Sequence, residues 1–208
     1  MNNKVMKEFI NKFVKRIKKE NTKMLISLDM DGTIKINQEI KDILDQIGKE
    51  YPNVKIILNT GRTINEIRAI MEREKIPIEY FDYIIGDNGG ICIDSKNNSE
   101  VFRYNISRRN IPSIMREIKS YGLPKENMRF SDGQYIYATK NKCTLERYKD
   151  RKKQVRLRKH NIMNKKVTKI MFSASKNTIL DLASKMQKLG LSCDISEIQK
   201  LKYHWNKL

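Results

Sequence analysis

The sequence predicts an α/β fold, a parallel sheet core followed by a second, α+β unit. Three observations carry this. Between residues 24 and 87, apolar strand-like runs alternate with amphipathic helical stretches in the order strand–helix–strand–helix–strand. That alternation implies right-handed crossovers and parallel pairing. The strand-like runs are nearly continuous in apolar residues, as in strands covered on both faces. After Asn88-Gly89-Gly90 the pattern changes to short strands lying close together.

The elements follow in order. Val5, Met6, Phe9, Ile10, Phe13, Val14 and Ile17 recur at helical spacing with lysines opposite, so residues 1–22 read as a basic amphipathic helix. Such a helix is marginal alone. It is expected to pack on the core sheet beside the first strand, with a membrane-surface helix as the rival reading. The core is expected over residues 23–88. Met24–Leu28 is its first strand and ends at Asp29-Met30-Asp31. Gln38–Glu50 is a helix through Ile40, Ile43, Leu44 and Ile47, and Pro52-Asn53 punctuates. Val54–Thr60 is the second strand. Thr63 opens a helix with Glu66 three residues on, the pattern of a capping box, and Pro77 stops it. Tyr83–Asp87 is the third strand.

Residues 89–196 are expected to form the second unit. Two short strands, "ICID" and "VFRYNI", come first. Ile111–Tyr121 is a helix with Pro112 near its start and Gly122 at its end. A hairpin turns at Asp132-Gly133. Then come a strand in "VTKIMFSA", a helix over Lys176–Leu189 closed by Gly190, and a last strand in "LSCDI".

Bulk composition narrows the function. No run of 18 or more apolar residues occurs, so no transmembrane helix is expected, and no secretory signal follows the basic start. Three scattered cysteines, Cys92, Cys143 and Cys193, argue against a disulfide framework or a zinc site and fit a reducing cytoplasm. His160 and His204 are isolated and lack ligand spacing. The net charge of +19 is concentrated: residues 1–28 carry eight Lys/Arg against two Glu, and residues 140–169 carry thirteen against two acids. Such stretches attract nucleic acid, phosphorylated metabolites or anionic lipid; a solvated Lys-rich surface is the plainer alternative. The absence of interleaved aromatics weakens the nucleic-acid case.

The chemistry is expected at the strand ends, where open parallel sheets bind ligands. Asp29 and Asp31 end the first strand; Thr60-Gly61-Arg62 ends the second and runs into a helix amino terminus. Free N–H groups there suit a phosphate. Two carboxylates close together at a strand end are costly unless something positive lies between them, and an oxygen-ligated cation such as Mg²⁺ fits. Asp29 can attack phosphorus to form an aspartyl-phosphate. Asp31 can protonate the leaving oxygen and then take a proton from water. Gly32 allows the sharp turn that follows.

"DMDGT", "NTGR" and "DNGG" together resemble the haloacid dehalogenase (HAD) superfamily, in particular its Cof-type sugar-phosphatase branch and phosphomannomutase relatives. The resemblance runs from about Met24 to the C-terminus. It implies a Rossmann-like core with a substrate-selecting cap, Mg²⁺ as cofactor, and a small phosphorylated substrate. It implies Asp29 as nucleophile and metal ligand, Asp31 as acid/base that binds the metal through its backbone, and Thr60 as the hydroxyl holding the phosphoryl group. Gly61, Arg62 and Asn88 fall where relatives bind substrate. "HWNKL" resembles the family's third motif, which would make Lys207 the phosphoryl-binding lysine; an ordinary basic tail is the alternative. The fourth motif, a Gly-Asp-x-x-x-Asp loop, does not occur within these residues, so 197–208 read as the start of a return to a core whose remainder is missing.

Three readings follow: a Mg²⁺-dependent phosphatase of small metabolites such as sugar phosphates; a degenerate relative that binds phosphate-bearing ligands or nucleic acid without turnover; and a phosphatase of nucleic-acid ends. The intact DxDGT favours catalysis, while the missing motif favours inactivity.

Overall fold

The computed structural model describes residues 24–31, 33–34, 36–123, 128–138, 155–157, 165–188, 190–191 and 193. The Val5–Ile17 helix, Gly32, most of the basic stretch 140–169, most of the last expected strand and Lys207 lie outside the described residues.

Strand β1 (Met24–Asp29) pairs in parallel with β2 (Val54–Asn59), which pairs in parallel with β3 (Tyr83–Gly86). The register sets Leu28 beside Leu58 and Leu58 beside Ile84. Side chains alternate across a strand, so Ile26, Leu28, Ile56, Leu58 and Ile84 share one face. Helices α1 (Gln38–Glu50) and α2 (Ile64–Glu74) both pack there, burying Ile40, Leu44, Ile47, Ile64, Ile67 and Met71 in a single core with those strands. Fully burying one such side chain contributes about 1.5–3 kcal/mol.

Both helices form where the sequence signals place them. Asn37 accepts the Ile40 N–H at 3.1 Å as the N-cap of α1. Thr63 and Glu66 complete the capping box of α2. That helix ends at Lys75 in the left-handed region, where the Ile76 N–H returns to the Met71 carbonyl at 2.9 Å.

The sheet then departs from the expected boundary at residue 88. β4 (Ile91–Asp94) runs antiparallel to β3, and β5 (Ser99–Arg103) antiparallel to β4, giving the order β1-β2-β3-β4-β5. Residues 91–103, expected in the second unit, thus hydrogen-bond into the first sheet. Asp87, Asn88 and Gly89 take successive positive φ values of 57°, 57° and 87°, so the chain reverses tightly. Ile91 and Ile93 then turn into the helix-covered core.

The second sheet has four strands. β6 (Arg129–Ser131) and β7 (Ile136–Ala138) form the expected hairpin, and Asp132 Oδ1 accepts the N–H groups of Gln134 and Tyr135 at 3.0 and 2.8 Å. β8 (Val155–Leu157) lies parallel to β7, and β9 (Lys169–Met171) antiparallel to β6. Helices α3 (Asn110–Ser120) and α4 (Lys176–Lys188) bury Ile114, Ile118, Leu182 and Met186 against Phe130 and Ile170 on one face. The alternate residues Ile136, Lys169 and Met171 turn toward the ends of β1–β3. No helix among the described residues is long and apolar enough to cross a membrane.

Candidate active site

The carboxyl ends of β1–β3 and the second sheet line an open cavity of about 320 Å³. Asp31, Gly61, Arg62 and Asp87 wall it on the core side, with Thr63 and Glu66 at the start of α2. Ile136, Lys169 and Met171 wall it from the second sheet.

Asp29 ends β1 with its side chain exposed and is not one of the walls. Its Oδ2 accepts the Thr33 hydroxyl at 2.9 Å, and its carbonyl accepts the Ile34 N–H at 3.1 Å. The strand-to-turn transition is therefore held by the threonine of DxDGT. Asp31 stands on the turn. Thr60 Oγ1 donates to Asp31 Oδ2 at 2.8 Å. Arg62 grips the same carboxylate with Nε at 3.0 and 3.1 Å and Nη2 at 2.7 Å. Forked contacts of this kind fix orientation as well as charge. Thr60 itself is buried and also accepts the Arg62 N–H at 3.2 Å. Asp31, Thr60 and Arg62 thus form one connected cluster beside Asp29.

Gly61 permits a close approach, since a Cβ there would lie 2.9 Å from Asn88 Oδ1. Asn88 is exposed on the left-handed turn. Its Oδ1 accepts from Lys169 Nζ at 3.0 Å. The same ammonium donates to the Gly61 carbonyl at 2.7 Å and sits 2.9 Å from Asp87 Oδ1. The last contact is an ion pair lying off the direction of a good hydrogen bond. Thr168 Oγ1 donates to the other Asp87 oxygen. Asp87 is buried, and β9 supplies its compensation.

The expectation of free N–H groups at α2 needs correction. The Ile64 N–H donates to the Gly133 carbonyl of the hairpin at 2.9 Å, the Thr63 N–H to Glu66 Oε2, and the Glu66 N–H to Thr63 Oγ1. The capping box and the hairpin turn thus take the N–H groups of Thr63, Ile64 and Glu66 that the sequence offered to a phosphate. Positive charge at the cavity comes instead from Arg62 and Lys169.

Asp29 and Asp31 are the candidate metal ligands, and no cluster of three or more His, Cys, Asp or Glu side chains forms among the described residues. Mg²⁺ keeps several waters and is commonly held by one or two carboxylates; Asp29 is exposed at the end of β1, whereas the Asp31 carboxylate on the turn is taken up by Arg62 and Thr60.

Asp87, Thr168 and Lys169 were not singled out from the sequence as site residues. Lys169 carried a signal: it is a lysine inside the apolar run "VTKIMF", where an alternating strand turns it to the face opposite Ile170.

Residues 26–203 match the family model of haloacid dehalogenase-like hydrolases, and the chain belongs to that family. Among solved structures, a haloacid dehalogenase-like hydrolase from Bacteroides thetaiotaomicron has a TM-score of 0.59 at 17% identity, covering 79% of this chain and 63% of that one. A HAD subclass IIB sugar phosphatase gives 0.56 at 18%, covering 80% and 64%. A protein from Thermotoga maritima gives 0.54 at 16%, covering 80% and 62%. The chain spans a little under two thirds of the length of these structures. No curated protein matches the sequence significantly.

Proposed function

We propose that the chain is a phosphoric monoester hydrolase acting on small phosphorylated metabolites such as sugar phosphates. One observation carries this reading: exposed Asp29 stands at the end of a parallel strand beside the Asp31–Thr60–Arg62 cluster. Asp29 supplies the nucleophile; its oxygen bonds to phosphorus as the bond to the leaving oxygen breaks. Asp31 gives the leaving oxygen a proton, then takes one from the water that attacks phosphorus. Phosphate departs and the Asp29 carboxylate is restored. Bound Mg²⁺ would offset the charge of the aspartates and the phosphoryl oxygens. Arg62 and Lys169 add positive charge where an anion enters.

The grip of Arg62 on Asp31 bears on the acid step. A guanidinium fork suits the carboxylate, whereas the leaving group needs the protonated acid. A substrate anion that draws Arg62 away frees Asp31 to carry that proton. The same grip, left unbroken, favours the second reading, a relative that binds phosphate esters without turning them over.

The test is turnover of a panel of sugar phosphates and an aryl phosphate, with Mg²⁺ and with excess chelator. Hydrolysis is expected with Mg²⁺ and loss of it with chelator. Protection against thermal unfolding by the same esters without any turnover would select the binding reading.

A further inference from the structure

Lys169 reaches from β9 across the crevice to the turn after β2, and it meets that turn at a backbone atom. Its Nζ donates to the Gly61 carbonyl at 2.7 Å and to Asn88 Oδ1 at 3.0 Å, and it pairs with Asp87 Oδ1 at 2.9 Å. The Gly61 carbonyl and the Arg62 N–H belong to one peptide unit. That N–H donates to Thr60 Oγ1 at 3.2 Å, and Thr60 Oγ1 donates to Asp31 Oδ2 at 2.8 Å. A peptide unit is planar, so its carbonyl and its N–H turn together. A lysine of the second sheet therefore holds one end of a rigid plate whose other end meets the Thr60 hydroxyl. The restraint falls where the chain lacks one of its own. Gly61 has no Cβ to limit rotation of the peptides beside it, and a Cβ there would lie 2.9 Å from Asn88 Oδ1.

We infer that Lys169 is a positioning residue: by fixing the Gly61–Arg62 peptide it aims the Thr60 hydroxyl, and through it the Asp31 carboxylate. The inference rests on the reading of Asp31 as proton donor to the leaving oxygen. The Arg62 side chain, which grips Asp31 Oδ1 through Nη2 at 2.7 Å, swings away when a substrate anion draws it. The Arg62 N–H is backbone and stays with the peptide. The Thr60 contact thus outlasts the guanidinium fork and keeps Oδ2 engaged, while a proton carried on Oδ1 passes to the leaving oxygen as its bond to phosphorus breaks. Because Lys169 belongs to β9, this aim exists only with the second sheet docked on the first.

The test compares the full chain with its Lys169→Met variant. The first readout is kcat/KM with Mg²⁺ for glucose 6-phosphate, whose sugar oxygen leaves poorly without a proton, and for p-nitrophenyl phosphate, whose phenolate needs none. The variant is expected to lose at least about tenfold more on the sugar ester than on the aryl ester. Equal losses on the two overturn the inference, since a lysine that only attracts the anion or supports the fold serves both alike. The second readout needs no turnover. Amide exchange at Arg62 is expected to be at least about tenfold faster in the variant, with the amides of β2 unchanged; unchanged exchange at Arg62 overturns the inference. If the wild type hydrolyses neither ester, the proposed reaction fails, and exchange at Arg62 alone decides whether Lys169 positions the turn. Should Lys169→Met not fold, Lys169→Met/Asp87→Asn removes the buried partner charge as well and is measured in its place.

Discussion

The ends of β1 and β3 both carry aspartates, of which Asp31 and Asp87 line one cavity, yet they are built differently. At β1, Asp29 is exposed and held by the Thr33 hydroxyl, while Asp31 is exposed and held by side chains that can swing. At β3, Asp87 is buried, sits on a left-handed backbone, and is locked by Lys169 and Thr168 from another sheet. A carboxylate that must react needs access and changeable partners. A carboxylate with fixed partners and no access serves to join two sheets. The contrast separates the residue proposed for chemistry from the one that holds the crevice together.

The contrast can be broken most sharply at Asp87. Asp87→Ala leaves the Lys169 ammonium without its buried partner, and breaking such a pair costs roughly 3–5 kcal/mol. Denaturant unfolding should show that loss. A cost below about 1 kcal/mol, the range of exposed pairs, would mean the two strand ends do not differ. A smaller effect is expected at Thr63, which lies between them. Thr63→Ala removes the N-cap of α2 and should cost about 1–2 kcal/mol, measured in the same way. An unchanged midpoint would show that Gly133 alone fixes that helix start.

The smallest effect concerns Asp82, a buried acid at the opposite end of β3. Burial opposes its charge, but Lys96 at 2.8 Å, the Ile56 N–H and Lys55, both at 2.9 Å, outweigh it and hold its carboxyl below the ordinary range. A depressed carboxyl contributes stability that is present above the unfolded value, about 3.9, and lost as pH falls through the folded value. The stability gap between wild type and Asp82→Asn should hold at neutral pH and shrink below about pH 4. A gap independent of pH would assign the role of Asp82 to shape instead of charge.

Much of this was legible in the sequence, for physical reasons that differ by element. The bounds of α1 were readable because Ile40, Ile43, Leu44 and Ile47 recur at helical spacing ahead of Pro52-Asn53, and α2 because Thr63 and Glu66 form a local capping box. The hairpin was readable from Asp132-Gly133, whose turn is made by its own neighbours. Membership of β4 and β5 was not readable, because a short apolar strand does not declare its partner. The burial of Asp87 was not readable either. Its compensation comes from Thr168 and Lys169, about eighty residues away. A second long-range contact, from the Ile64 N–H to the Gly133 carbonyl, occupies the start of α2, and no local pattern announces it.

The central claim is that Asp29 carries the phosphoryl group. The most direct measurement is rapid acid quenching during turnover of an aryl phosphate with Mg²⁺, followed by peptide mapping, on wild type and Asp29→Asn. A phosphoryl group on the peptide containing Asp29, absent from Asp29→Asn together with turnover, is the predicted result. Turnover that survives Asp29→Asn, or a phosphoryl group trapped on another residue, would contradict the claim.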